Sequence, residues 1–381
     1  MSNDHIPAKK FIDELRRYQK GSVSRRHFLG VTGLGLATAV LSSAVPGLRP
    51  RRSYAGLSGT LNFTTWPNYF SQENLDNFTK QTGVPINVNV FGSNEEMLAK
   101  LQAGSTGWDV FVPTNYTIST YKALDLIEPL DLKLMPNYDQ AAQIPRFLGP
   151  GTIDGVVYAV PKDWGTTGFI VNTKATTEKP ASWKEFFELT KGPLSGKVTV
   201  HDYQLTTIGS AAKALGYSFN TIDPTELAAV EKLLIETKPH LFGITSDYQP
   251  AMRNGDAAMA MCWTNDAAQL HRDLPEMTYV LGKDGGEIWV DHYAVVKGAP
   301  NREAAYAFLD YILTPEINAK EIEAHGTPST DERCIKLLPK AILENPILYP
   351  AAEALSALEY GAAETLTSPA RAELMARFKS A

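Results

Sequence analysis

From Leu61 to Pro113 the chain alternates between two hydrophobic periods, and this limits its folds more than any other feature. Leu61, Phe63 and Thr65 share one face of a short strand. Ser71 to Thr82 reads as a helix, with Leu75 and Phe78 three apart and Gly83 as the stop. Ile86, Val88 and Val90 alternate again. Ser93-Asn94-Glu95-Glu96 has capping-box spacing, and Met97, Leu98 and Leu101 continue an apolar helical face. Asp109-Val110-Phe111-Val112 reads as a short buried strand ended by Pro113. A β-α-β-α-β series requires a parallel sheet with right-handed crossovers, so the class is α/β.

A second region follows the same logic. Val198–Val200, Ala257–Cys262 and Ile288–Val296 read as strands. Ile208–Leu215, Pro224–Thr237, Asn265–His271 and Asn301–Leu313 read as helices. The 381 residues suffice for two or three domains, yet no Pro/Gly/Ser linker divides them. The expectation is two α/β lobes joined by more than one crossover, with a cleft between them.

The N-terminus reads as an address. Ser24-Arg25-Arg26-His27-Phe28-Leu29 has the form of a twin-arginine export signal. A weakly apolar run from Gly30 to about Val45 and the small-x-small Ser53-Tyr54-Ala55 follow, so residues 1–55 are expected to be cleaved after export. The implied location is the periplasm, reached through the twin-arginine translocase. Of 36 basic and 42 acidic residues, ten and three fall in residues 1–55, leaving 26 and 39 and a net charge of −13. Such a body gives no basic surface for nucleic acid and attracts cations at long range. Cys262 and Cys334 permit one disulfide in that compartment or two buried thiols, and the sequence leaves both open.

Ligands of open α/β sheets bind beyond the carboxyl ends of the strands. Three expected ends carry aromatics with polar neighbours: Trp66-Pro67-Asn68-Tyr69, Pro113-Thr114-Asn115-Tyr116 and Trp263-Thr264-Asn265-Asp266. A fourth group is Trp289-Val290-Asp291. Ring faces attract a cation by roughly 0.5–2 kcal/mol per contact. Carboxylates accept charge-assisted N–H bonds worth about 1.5–3 kcal/mol each. Together they suit an alkylammonium ligand.

At these residues the chain resembles the spermidine/putrescine-binding proteins of polyamine ABC importers, within the two-lobed periplasmic binding proteins. The resemblance spans most of residues 59–360. It includes Asn94-Glu95 with Met97, Asp109-Val110 with Pro113, Trp164-Gly165, Leu215-Gly216-Tyr217-Ser218, Gly285-Gly286 and Leu348-Tyr349-Pro350. It implies a type II-like hinged fold with an interlobe ligand cleft. The implied lobes are residues 56–165 plus about 290–330, and 166–289 plus about 331–381. Implied crossovers lie near Trp164–Gly168, near Trp289–Asp291 and near residues 325–340.

The resemblance also implies site residues. Trp66 and Tyr69 match the family's first ligand motif, where Pro67 and Asn68 replace a hydroxyl and an acid. Thr114 and Tyr116 stand for a serine and an aromatic after the third strand. Trp263 matches a ring that stacks on the ligand, and Asp266 an acid of putrescine-type members. Trp289 and Asp291 match an aromatic and the central amine-binding acid, and Tyr349 a late tyrosine. Asp202 falls where the family usually offers acids. The late glutamine of spermidine binders has no counterpart near Tyr360-Gly361. Fewer acids favour putrescine or another small amine over spermidine, because a buried ammonium without a paired acid is costly. The implied partners are that ligand and a membrane ABC permease, the protein acting as a monomer by hinge closure, with no cofactor or metal.

An enzyme is the rival class, but G-x-S-x-G, H-E-x-x-H and G-x-x-x-x-G-K-[ST] are missing. His201 beside Asp202 and His292 beside Asp291 leave a hydrolase reading open. A binder of another small cation, a ferric or anionic solute or an amino-acid-like ligand on the same fold stays open, as does a receptor feeding a sensor.

Overall fold

The computed structural model describes residues 57–104 and 107–381, so the expected export segment lies outside the described residues. Among the described residues no helix is long and apolar enough to cross a membrane.

Among the described residues twelve strands run in chain order: Leu61–Thr65 (β1), Ile86–Val90 (β2), Val110–Phe111 (β3), Thr152–Ile153 (β4), Val156–Val157 (β5), Ala159–Asn172 (β6), Val198–Val200 (β7), Gly243–Ile244 (β8), Met259–Trp263 (β9), Met277–Val280 (β10), Gly286–Val295 (β11) and Leu358–Glu359 (β12). Ten form one sheet of order β2-β1-β3-β11-β6-β9-β7-β8, with β10 beside β6 and β12 beside β11. β1 is parallel to β2 and β3, as the opening pattern requires. The helix Gln72–Thr82 is capped by the Ser71 hydroxyl and ends at Gly83, whose φ of 76° suits a residue without Cβ. Ser93 caps Asn94–Ala103, but the reciprocal Glu96 carboxylate accepts from Gly92 N rather than Ser93 N.

β6 and β11 are antiparallel and long, and every residue of both is buried. The end of β11 lies between β3 and the start of β6, while the other half of β6 lies against β9. One strand therefore feeds two cores. Ala159 and Ala294 pack with Phe91, Met97, Phe111 and Tyr121. Phe169 and Val171 pack with Trp183, Phe186, Val198, Ile208 and Phe378. Each large apolar side chain so buried contributes about 1.5–3 kcal/mol. These cores are the two lobes of the fold. The late chain also pairs with both halves, Ser329 beside Asp163 and Leu358 beside Gly286.

The register slips once, between Asp291 and His292. Asp291 faces Asp163 and His292 faces Pro161, which leaves Lys162 as an extra residue in the manner of a β-bulge. β6 is the longest element that the hydrophobic pattern misses, because Pro161, Lys162 and Asp163 interrupt it. The strand read as Ala257–Cys262 sits two residues later at its start and ends on Trp263.

Candidate functional site

A cavity of about 690 Å³ of atom-free space, its mouth included, opens where the strand ends of both lobes meet. From the β1–β3 side come Trp66, Pro67, Asn68, Tyr69, Gly92 and Thr114. From the β7–β9 side come Tyr203, Ser246, Asp247, Tyr248, Gln249, Trp263, Asn265 and Asp266. Glu287, Trp289 and Asp291 come from β11. These three are spaced by two residues on one strand, so they share a face. Among the described residues six aromatic rings and four carboxylates line the cavity, and no lysine or arginine does.

The rings are held by their own polar atoms. Trp66 Nε1 donates to Val112 O at 3.1 Å, and its ring meets Phe91 edge-on at 4.5 Å. Across the cavity its centroid lies 6.1 Å from that of Trp263. Trp263 stacks on His201 at 4.0 Å. Burial pushes the His201 imidazole down to about 3, so this backing is neutral. The Tyr69 hydroxyl donates to Asp163. Asn68 holds a φ of 55°, a left-handed conformation that Asn tolerates better than most residues.

Each acid has a different setting. Asp266 accepts from Gln249 Nε2 at 2.7 Å and Asn265 Nδ2 at 3.1 Å, and burial pushes its carboxyl up to about 6. Glu287 accepts from the Thr167 hydroxyl at 2.5 Å, and burial pushes it up to about 7. Asp291 is 5% exposed, and its Oδ1 has no hydrogen-bond partner among the described residues. Burial first, and the Asp163 charge second, hold the Asp291 carboxyl well above the usual range. A buried carboxylate oxygen without a donor is costly, and an ammonium entering the cavity would satisfy it.

Of the eleven residues expected from the sequence, eight line the cavity: Trp66, Asn68, Tyr69, Thr114, Trp263, Asp266, Trp289 and Asp291. Three do not. The Tyr116 phenol bonds that of Tyr203, and it is Tyr203 that reaches the wall. Asp202 accepts from the Ser246 hydroxyl and supports the lining from behind. Tyr349 packs edge-on to Trp164 at 6.3 Å, behind the cavity wall. The sequence reading misses Tyr203, Tyr248, Gln249, Asp247 and Glu287. Glu287 was legible, since a strand carrying Trp289 and Asp291 on one face carries Glu287 there too. Tyr203 follows the end of β7, where the strand-end rule applies. Tyr248 and Gln249 follow β8, whose two residues give no periodicity.

Among the described residues no group of three His, Cys, Asp or Glu could hold a metal ion. His201 Nδ1 bonds the Thr206 hydroxyl at 2.9 Å and His292 Nδ1 the Val290 carbonyl at 3.1 Å, so neither imidazole serves its neighbouring aspartate. Cys262 and Cys334 are both free and buried, in separate apolar clusters.

Comparison with known proteins gives the chain a family. The chain is 28% identical over 325 residues to the spermidine/putrescine-binding periplasmic protein of Salmonella typhimurium, covering 84% of this chain and 92% of that one. It is 28% identical over 342 residues to the putrescine-binding periplasmic protein SpuD of Pseudomonas aeruginosa, covering 86% and 92%. A solved structure provisionally named a spermidine/putrescine ABC transporter, from Listeria monocytogenes, superposes with a TM-score of 0.78 at 29% identity, covering 84% and 99%. The sequence profile of the bacterial extracellular solute-binding proteins matches residues 73–336, more than half of the chain. The chain belongs to the bacterial extracellular solute-binding protein family.

Proposed function

We propose that this protein captures a small cationic amine, putrescine or a related polyamine, and delivers it to a membrane ABC permease by closing its two lobes. The observation that carries this reading is the cavity wall of four carboxylates and six rings with no basic side chain. Each ammonium exchanges hydration for charge-assisted bonds, while the methylenes pack on ring faces. A free carboxylate on the ligand would meet Asp247, Asp266, Glu287 or Asp291, with no lysine or arginine among the described lining residues to pair with it. The names of the relatives support the same class. Asp247 and Glu287 make up for the acid replaced by Asn68, so the acid count does not restrict the ligand to a diamine.

Both lobes supply lining residues, so a bound amine favours the arrangement in which they approach. We divide the lobes as residues 56–165 plus about 290–330, and 166–289 plus about 331–381. Residues 1–55 direct export through the twin-arginine translocase, and the mature monomer works in the periplasm. Calorimetry of the mature protein against putrescine, cadaverine, spermidine, spermine, lysine and γ-aminobutyrate tests the reading. One-to-one binding of at least one polyamine, with γ-aminobutyrate much weaker, is expected. A ligand that binds only the folded state also raises the melting temperature. Equal binding of γ-aminobutyrate, or silence with every amine, defeats the proposal.

A further inference from the structure

Behind the cavity, at the register slip, lies a buried charge that the amine-binding reading does not use. Among the described residues Lys162 is the only buried lysine. Its Nζ lies 2.5 Å from Asp163 Oδ2, 3.1 Å from His325 Nε2 and 3.6 Å from the centroid of the Tyr69 ring. The extra residue of the bulge carries this side chain, so the slip is what brings an ammonium beside the aspartate that faces Asp291.

Asp163 and Asp291 are directly opposed across two buried strands. Like charges so placed repel, and two buried carboxylates sharing a site do not both ionise unaided. Their surroundings break the tie. Asp163 is satisfied at both oxygens, Oδ1 by the Tyr69 hydroxyl and Oδ2 by Lys162. Asp291 lines the cavity with Oδ1 unpartnered. The other groups around the cluster add no second cation. His325 Nε2 accepts from the ammonium, which puts its proton on Nδ1, facing the Thr327 hydroxyl at 2.9 Å. Burial and the Lys162 charge hold His325 well below its ordinary range, so it stays neutral. Glu321, whose Oε2 lies 3.9 Å from His325 Nε2, accepts from Ser71 N and Asn74 Nδ2, and burial pushes it up to about 7. Tyr293, buried near Asp163 and Glu321, is a neutral phenol.

We propose that Lys162 is a resident ammonium that neutralises Asp163 from behind the wall, so that Asp291 alone remains to receive the ligand's ammonium at this point. Lys162 is thus a positioning residue that sets how much ligand charge the site accepts there. The proposal rests on the reading that the ligand is a cationic amine.

A four-member cycle with putrescine as the probe tests it: the unaltered chain, Lys162→Met, Asp163→Asn and the double variant. In Lys162→Met the two aspartates share a proton that the ligand must displace. Affinity should fall about tenfold or more, and more at about pH 6 than at about pH 8. In Asp163→Asn the unpaired Lys162 turns to Asp291 and competes with the ligand, again about tenfold. The double variant leaves neither a second acid nor a competing ammonium beside Asp291 and should bind within about threefold of the unaltered chain. Losses that multiply in the double variant, or an unaltered pH profile in Lys162→Met, would overturn the proposal. If either single variant fails to fold, the double variant decides alone: a loss beyond about tenfold overturns it. Failure of the unaltered chain to bind any amine would instead sink the functional reading. Melting temperatures of the empty chains then decide the pairing, the double variant being expected to melt above both singles and the inference failing if it does not.

Discussion

Asp266 and Asp291 are both buried carboxylates on the cavity wall, and they are kept in different ways. Asp266 stands in the first turn of the helix Thr264–Asp273, with two amide donors on one oxygen. Neutral donors and the positive end of a helix stabilise an anion without adding a competing charge. Its carboxyl rises only to about 6, so it is ionised at neutral pH with the cavity empty. Asp291 faces another acid, has an oxygen without a donor and is pushed well above the usual range. One acid is finished by the protein, whereas the other is finished only by a cation from outside. Ligand energy should therefore concentrate at Asp291.

Replacing each acid by its amide breaks the comparison most directly. Asp291→Asn should weaken putrescine about tenfold to a hundredfold, the loss of a charge-assisted bond of about 1.5–3 kcal/mol, as read by calorimetry. The same change should raise the melting temperature of the empty protein, since it removes an unsatisfied buried acid. Asp266→Asn should cost about tenfold, with a smaller gain in stability, because two amide donors already hold that carboxylate. Trp263→Ala should cost about fivefold to tenfold through lost ring contact. Similar effects at both acids, or a lower melting temperature in Asp291→Asn, would remove the asymmetry.

The pH dependence sharpens it further, with a smaller effect. Asp266 and Glu287 protonate through about 6 and about 7, so putrescine affinity should decline as pH falls from about 7.5 to about 5.5. Asp266→Asn should flatten part of that decline. Stability runs the other way. These carboxyls hold their protons to higher pH when folded than when unfolded, so the folded state binds more protons between about 4 and about 7. Their contribution to stability therefore falls as pH rises through that window. Melting curves of the empty protein across that range, with and without Asp266→Asn and Glu287→Gln, check the sign.

Much of this was legible in the chain. The β1–β3 crossovers followed from period and caps, because one half-buried face repeats cleanly there. Eight lining residues followed from aromatic and acidic groups near strand ends and from the family resemblance. What escaped was set by distant contacts. Lys162 and Asp163 look like a charged loop, and only the pairing of β6 with β11 shows them buried. Tyr116 and Tyr203 compete for the same wall, and the sequence cannot say which stands in front. Asp202 looked like a ligand group, yet its carboxylate is committed to Ser246. The thiols of Cys262 and Cys334 could be paired on paper, but the fold places them in different clusters.

The β6–β11 pair spans both lobes through eight registered residue pairs. In the closure proposed above, a ribbon held in this way would bend by small torsions shared among many residues rather than by melting a loop. Freezing one free backbone residue costs about 1–2 kcal/mol, and such a ribbon has few left to freeze. In that proposed closure, the few contacts of a very small solute would then suffice to move one lobe against the other, leaving most of their energy for retention.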